Sequence, residues 1–336
     1  MGKVTIKDVA TLAGVSVGTV SMVLNNSPKV SEEKRAIVHI AIEKLSYRRN
    51  PYARSLSLST SRTIGFLAPG FTNPFFGAMA ASLQNAVSKR GYSLMLGLTD
   101  KSSEQEARLV DQFLDHGVDG LLIIPVEEPN PKLNHIYNLI KTKFPCVFIS
   151  SYYKGLKKNC VMTELYEGSY LMTSYLLDHE YKSLVLVAGN PEVITFQERI
   201  NGFKQAFFDR GMIAKDSQIV EASGMSFQGG YDSISKVLST LNPDAILAIN
   251  DVMAMGIISS LKASGINVPE DVAVAGFDDL SISAIQETPL TTVRQPMDEM
   301  CNKAVDLLFD LINGNPGIEE PLYIQPEIVL RKSTER

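Results

Sequence analysis

Few motifs in this chain could carry out chemistry, and most of them fail on context. Gly14-Val15-Ser16-Val17-Gly18 matches GxSxG, the pattern that lifts a nucleophilic serine onto a strand-to-helix turn, yet the residues before it read as a helix. Neither GxGxxG nor GxxxxGK(S/T) occurs, so dinucleotide and P-loop chemistry find no support. His39, His116, His135 and His179 share no metal-ligand spacing. Cys146, Cys160 and Cys301 are too scattered for a disulfide scaffold or zinc ribbon. No catalytic residue, metal or cofactor is therefore expected. What remains is charge. Residues 1–62 hold five Lys and five Arg against Asp8, Glu32, Glu33 and Glu43, a net of +6; the whole chain carries −5, which leaves −11 for residues 63–336. A cationic head on an acidic body is the footprint of a small nucleic-acid-binding module attached to a larger sensor or enzyme.

The elements that would present that charge begin at Thr5, which can cap a helix through Ala13 with Asp8 in its first turn. Gly14 then supplies a tight turn, and Ser16 can cap a second helix through Leu24. Val9, Ala13, Val15, Val20 and Val23 would fill the core between two nearly perpendicular helices, with small Ala10 allowing close approach. A third helix, about 31–45, starts at Ser31 and offers Ile37, Ile40, Ala41 and Leu45 as its apolar stripe. The pattern is that of a helix-turn-helix, with Val17, Gly18, Ser21 and Met22 exposed on the half of the second helix that enters a major groove. A plain three-helix cap is the competing reading; the positive charge and the shortness of the second helix speak against it. Residues 48–62 follow as a hinge. Asn50 and Pro51 form an N-cap and N1 pair for a helix at 51–57, too short to fold alone. It reads either as a mobile linker or as a segment ordered on DNA, with Arg54 near phosphates and Leu56 wedged into a minor-groove step.

The composition, 45% hydrophobic and 21% charged, suits a globular chain of two to three domains. No apolar run approaches the roughly 20 residues of a membrane helix, and the N-terminus lacks a signal-peptide core. A reducing cytoplasm is the expected compartment. From Thr63, strands at 63–69, 92–98, 120–125 and 146–150 alternate with helices at about 74–90, 103–116 and 131–142. A second series has strands at 183–189, 217–222, 244–250 and 271–277 and helices near 167–180, 196–211, 228–240 and 251–265. The fold class expected is an all-α head on an α/β body of two doubly wound parallel-sheet subdomains, with ligand bound at the carboxyl ends of the strands. The tail, 290–296, helix 297–313 and strands near 321–331, crosses back between the lobes and makes a hinged clamshell.

These residues resemble the lactose-repressor (LacI/GalR) family of bacterial transcription regulators. The head TIKDVATLAGVSVGTVSMVLNNSPKVSEEKR, the hinge RRNPYARSLS and the body strings NPFF (73–76), NDVMAMG (250–256), GFDD (276–279) and LTTVRQP (290–296) carry the likeness in order along nearly the whole chain. The resemblance implies a periplasmic-binding-protein-type body and a homodimer, or a dimer of dimers, on a pseudo-palindromic double-stranded DNA operator. Its domains would be 1–47, the hinge 48–62, and 63–336, the last split into an N-subdomain (63–161 and 293–320) and a C-subdomain (162–292 and 321–336). It implies DNA contacts from Thr5, Ser16, Val17, Gly18, Thr19, Ser21, Met22 and Asn25, and from Asn50, Tyr52, Ala53, Arg54 and Leu56 in the hinge. Met22 departs from the usual Arg and offers only apolar contact, such as to a thymine methyl.

In this family a small molecule, often a sugar, lies between the lobes and sets operator affinity, as inducer or co-repressor. Carried over singly, Arg199 matches a clamp on ligand oxygens, Asp278 an acceptor for ligand hydroxyls, and Asn250 and Thr195 further contacts. Phe75 or Phe76 would stack on an apolar sugar face. Val193 stands where the purine-binding branch has a charged residue, which argues against a purine, and Glu164 replaces a common Asp. Gln295 and Pro296 are expected to shape the crossing without touching ligand. Asp251 and Asp278 as helix-capping acids, and Arg199 as an ion pair inside one lobe, are the competing structural roles. The rivals are a sugar-binding transport receptor, which the body alone would fit, and an α/β enzyme with an accessory helical domain.

Overall fold

The computed structural model describes residues 4–25, 27–47, 60–128 and 130–335. The hinge helix at 51–57, with Asn50, Tyr52, Ala53, Arg54 and Leu56, lies outside the described residues. The chain divides into two compact units, 1–61 and 62–336.

The first unit is built on α1 (Ile6–Ala13), α2 (Val17–Leu24) and α3 (Glu32–Lys44). At the start of α1 the Asp8 carboxylate accepts from both the Thr5 amide and the Thr5 hydroxyl, each at 2.7 Å. The cap therefore works through the acid, which the Thr5 amide, and next the Thr5 hydroxyl, hold below the ordinary carboxylate range. Gly14 sits at φ +63° and turns the chain so that α2 leaves α1 at 105°. The Ser16 hydroxyl then accepts from the Thr19 amide at 3.0 Å. Because a Cβ at Gly14 would meet nothing within 4 Å, only its backbone conformation resists substitution. Gly14→Ala is expected to destabilise the head by about 1 kcal/mol, read as a lower midpoint in denaturation of the full chain followed by helical circular dichroism.

Val9, Ala10, Ala13, Val20, Val23, Val30, Val38 and Ala41 form the head's core. On α3 this corrects the expected stripe: Ile37 and Ile40 are 42% and 53% exposed. Val38, Ala41, Ile42 and Leu45 face inward instead. Those four are spaced i, i+3, i+4, i+7 and make one continuous seam, whereas Ile37 and Ile40 start a neighbouring one.

The second unit opens with β1 (Thr63–Ala68), α4 (Pro74–Ser88), β2 (Ser93–Leu98), α5 (Ser103–Asp115), β3 (Gly120–Ile123), α6 (Asn134–Lys141), β4 (Cys146–Ile149) and β5 (Cys160–Thr163). It continues with α7 (Leu165–Asp178), β6 (Leu184–Ala188), α8 (Ile194–Phe208), β7 (Ile219–Glu221), α9 (Phe227–Thr240), β8 (Ala245–Ala248), α10 (Asp251–Ala263) and β9 (Ala273–Asp278). The closing elements are β10 (Thr291–Arg294), α11 (Met297–Ile312), β11 (Leu322–Ile324) and β12 (Glu327–Val329). One six-stranded sheet runs β11-β5-β4-β3-β1-β2, the other β12-β10-β9-β8-β6-β7. All ladders are parallel except β10–β12. Inner strands such as β3 and β8 are buried throughout, as parallel strands covered on both faces must be, while the edge strands β2, β11 and β12 are partly exposed. Two readings of the sequence need correction. Strand β5 was not foreseen, because four residues after a loop give little periodicity. The expected lobe boundaries also fall early: β5 stays in the first sheet to Thr163, β10 in the second to Arg294, and β11 returns to the first as a partner of β5. The chain therefore crosses at Glu164, at Gln295-Pro296 and at Gln325-Pro326.

Gly202 lets α7 and α8 touch backbone to backbone; a Cβ there would lie 2.1 Å from the Tyr166 carbonyl oxygen. The C-terminal tail is stapled into the second sheet. The Ser333 hydroxyl donates to the Val274 carbonyl at 2.6 Å and accepts from the Thr291 amide at 2.8 Å.

Candidate functional site

Two surfaces gather the residues singled out in the sequence. On the head, Ser16, Val17, Gly18, Met22 and Asn25 are exposed, as is Thr5, while Thr19 and Ser21 are half-buried. The Ser16 and Thr19 hydroxyls pair at 2.9 Å in addition to the cap, so part of their hydrogen-bonding capacity is already used. The free face of α2 is thus mainly apolar, from Val17 and Met22, with Gly18 contributing bare backbone.

The second surface is a cleft at the carboxyl ends of β1, β4, β8 and β9. Phe75, Phe76, Thr195, Arg199, Asn250 and Asp278 all line it. Phe75 and Phe76 come from the first turn of α4, Thr195 and Arg199 from the first two turns of α8, Asn250 from the turn after β8 and Asp278 from the end of β9, as expected where doubly wound sheets bind ligands. The Asn73 side chain caps α4, accepting from the Phe75 amide at 3.0 Å, and so directs the Phe75–Phe76 pair, whose rings meet edge to face at 5.6 Å. Asn250 caps α10, accepting from the Met253 amide at 2.8 Å.

Arg199 and Asp278 form the polar centre. One Arg199 terminal nitrogen donates to the Thr195 carbonyl at 3.2 Å, the other lies 3.9 Å from Asp278, and the guanidinium carbon sits 4.1 Å from the centre of the Phe277 ring. The competing role, an ion pair inside one lobe, is present, yet it is loose and leaves Arg199 Nε buried without a partner. Asp278 accepts from Gln295 Nε2 at 2.7 Å. Burial pushes its carboxyl up to about 6, opposed mainly by Arg199 and then by Gln295 and Asn73. Burial also lowers the Arg199 pKa, against the attraction of Asp278.

Asp278 holds φ +120° and Asp279 φ +54°, conformations that side chains with a Cβ seldom adopt. The surroundings impose the kink. Asp279 pairs with Arg294 at 2.7 Å and Arg331 at 2.6 Å. Asp251, fully buried, accepts from the Leu280 amide at 2.8 Å and from the Ser283 and Thr292 hydroxyls at 2.6 and 2.5 Å. Asp251 is thus a clamp on the turn after β9 and does not cap α10, where Asn250 does that work. Its carboxyl is pushed up to about 7 by burial and then by Asp278.

Reading the sequence missed several cleft residues. Gln295 was expected to avoid ligand, but it lines the cleft and its buried Oε1 has no partner. Lys101, Glu127 and Ser150 also line it, with Lys101 and Glu127 3.5 Å apart. All sit one to four residues beyond the end of a strand, a signal that could have found them. Glu164 lies on the first crossing, where burial raises its pKa ahead of repulsion from Glu198 and Glu167, and it is outside the cleft lining.

The fold and this site define a two-lobed, cleft-bearing sensor carried on one chain with a helix-turn-helix head. Residues 5–50 match the model of bacterial regulatory proteins of the lacI family, and residues 173–334 match a periplasmic binding protein-like domain. The chain is 33% identical over 331 residues to the transcriptional repressor PurR of Pasteurella multocida, covering 98% of both proteins. It is 32% identical over 332 residues to the ribose operon repressor of Escherichia coli, covering 98% of this chain and 99% of that one. The lac repressor dimer bound to operator and the anti-inducer ONPF superposes with a TM-score of 0.89 at 25% identity, over 99% of each chain. This chain belongs to the lacI family of bacterial regulatory proteins.

Among the described residues, no single helix is long and apolar enough to cross a membrane.

Proposed function

We propose that the protein is a sequence-specific transcriptional repressor whose affinity for a pseudo-palindromic operator is set by a polyhydroxylated small molecule, a sugar or sugar derivative, held in the cleft. The observation that carries the effector reading is the set of buried side-chain atoms left without partners around one space: Thr195 Oγ1, Arg199 Nε and Gln295 Oε1. Such atoms are costly unless something meets them. A donor on Arg199, an acceptor on Gln295 and a two-way hydroxyl on Thr195 match a ligand with several hydroxyl groups beside an apolar face. The Phe75–Phe76 pair supplies a surface for that face. The lac repressor's structure with operator and anti-inducer supports the same pairing of DNA and cleft ligand.

The exposed face of α2 supports DNA reading, with its apolar content favouring thymine methyls and DNA shape over hydrogen-bonded bases. Basic residues at 48, 49 and 54 would supply the salt-dependent attraction. A homodimer, alone or paired into a tetramer, would place two heads on two half-sites. An apolar face on the second lobe suits it: Phe227, Ile282 and Ile285 are exposed, the last at 81%. They flank α10, for Gly256 abuts the Phe227 carbonyl and Ser283 bonds Asp251. The reading is of a binding protein and not an enzyme, and the relatives' names as repressors support it.

A gel shift of the full chain on selected palindromic duplex against random duplex, at low and high salt, tests it. The expected outcome is a retained specific complex when salt and competitor remove the random one. Equal loss of both would leave only a charged head on a sugar receptor.

A further inference from the structure

At the pole of the first lobe opposite the cleft, the amino ends of β4, β5 and β11 and the C-terminal ends of α6 and α11 surround a second cavity of about 560 Å³. Its wall is apolar. Ile136, Leu139 and Phe148 are buried along it, and Phe144 and Leu311 flank them. The space exists because both helices stop before they could close it. After α6, Lys143 turns at φ +56° and the Phe144 amide returns to the Leu139 carbonyl at 3.0 Å. After α11, Gly314 turns at φ +82° and the Asn315 amide returns to the Asp310 carbonyl at 2.9 Å. These left-handed stops fix the helix ends and hold the opening between them. The rim carries Lys143, Lys158 and Glu319. Lys158 and Glu319 are matched at 2.5 Å, whereas among the described residues no carboxylate pairs with Lys143. An apolar hollow with one spare positive charge at its mouth is complementary to a molecule with a hydrocarbon body and a single acidic group.

We propose that this cavity is a second small-molecule site, separate from the effector cleft, that takes an amphipathic monoanion. Its aromatic or branched hydrocarbon body would lie against Leu139, Phe144 and Phe148, with its acid group at Lys143. Burial of the body supplies most of the affinity and the exposed lysine selects the charge.

The test is a fluorescence titration of the full-length chain with 1-anilinonaphthalene-8-sulfonate and with its uncharged counterpart N-phenyl-1-naphthylamine. The expected result is saturable binding of both, one site per chain. Lys143→Glu should weaken the sulfonate on the order of fivefold and leave the neutral probe unchanged. Leu311→Trp, whose larger ring intrudes on the cavity, should weaken both, and Asp278→Asn should alter neither. The proposal is overturned if the wild type shows no saturable binding. It is equally overturned if Lys143→Glu holds the sulfonate as tightly as the wild type, if folded Leu311→Trp binds both probes as tightly as the wild type, or if Asp278→Asn abolishes them. Should Leu311→Trp fail to fold, the charge reversal read with the two probes decides alone.

Discussion

Exchange of Asp278 for Asn is expected to weaken the effector by about ten- to a hundredfold, the worth of hydrogen bonds to a charged acceptor, while operator binding without effector stays intact. The amide oxygen can still accept from Gln295, which now holds the carboxylate at 2.7 Å. Its nitrogen, however, offers a ligand hydroxyl a donor where it met an acceptor. The measurement is the rise in thermal midpoint of the full chain with whichever pentose or hexose stabilises the wild type. A variant that keeps the full rise would show that the ligand sits elsewhere. The same carboxyl predicts a pH dependence. Burial brings it up to about 6, so wild-type affinity should fall as pH drops from 8 through 6 to 5, because protonation removes the acceptor. The Asn variant should lack that inflection.

Removal of the clamp should be felt in stability. Asp251→Ala leaves the Leu280 amide and the Ser283 and Thr292 hydroxyls buried without their acceptor. At about 1–3 kcal/mol for each abandoned group, the loss is partly offset by no longer burying a carboxylate. A net destabilisation of about 3 kcal/mol is expected, read as a lower urea midpoint for the full chain. The wild type should also gain stability as pH is lowered from 8 toward 4. The folded pKa of Asp251, about 7, lies above its ordinary value of 3.8. Its contribution is therefore complete below the unfolded value and lost as pH rises through the folded one. Asp251→Ala should flatten that slope, and an unchanged slope would assign it to other groups.

The two predictions rest on residues that were unequally visible in the sequence. Asn250 and Asp278 stand at strand ends inside strings that resemble family landmarks, so their place in the cleft was legible. Gln295 was not, because it reads as part of a crossing; only the fold reveals that the crossing itself forms a cleft wall. The strands of the body were legible where they are continuous apolar runs, such as Leu184–Ala188, and β5 was not, because four residues after a loop are too short a run to mark a strand. On α3 the apolar residues form two adjacent seams, and composition alone could not choose between Ile37 and Val38; packing against α1 chose Val38. Asp251 looked like a helix-start acid because its partners, Leu280, Ser283 and Thr292, are all some thirty residues or more further along the chain.

The three crossings also govern the order in which the protein can be made. β11 and β12, which finish the two sheets, both lie within residues 322–329, after every other strand. The head is contiguous and its three helices are complete by Lys44. On the ribosome, where amino-terminal units fold first, the head can therefore form early. Neither lobe can close its sheet until residues 322–329 have emerged, and both then do so together.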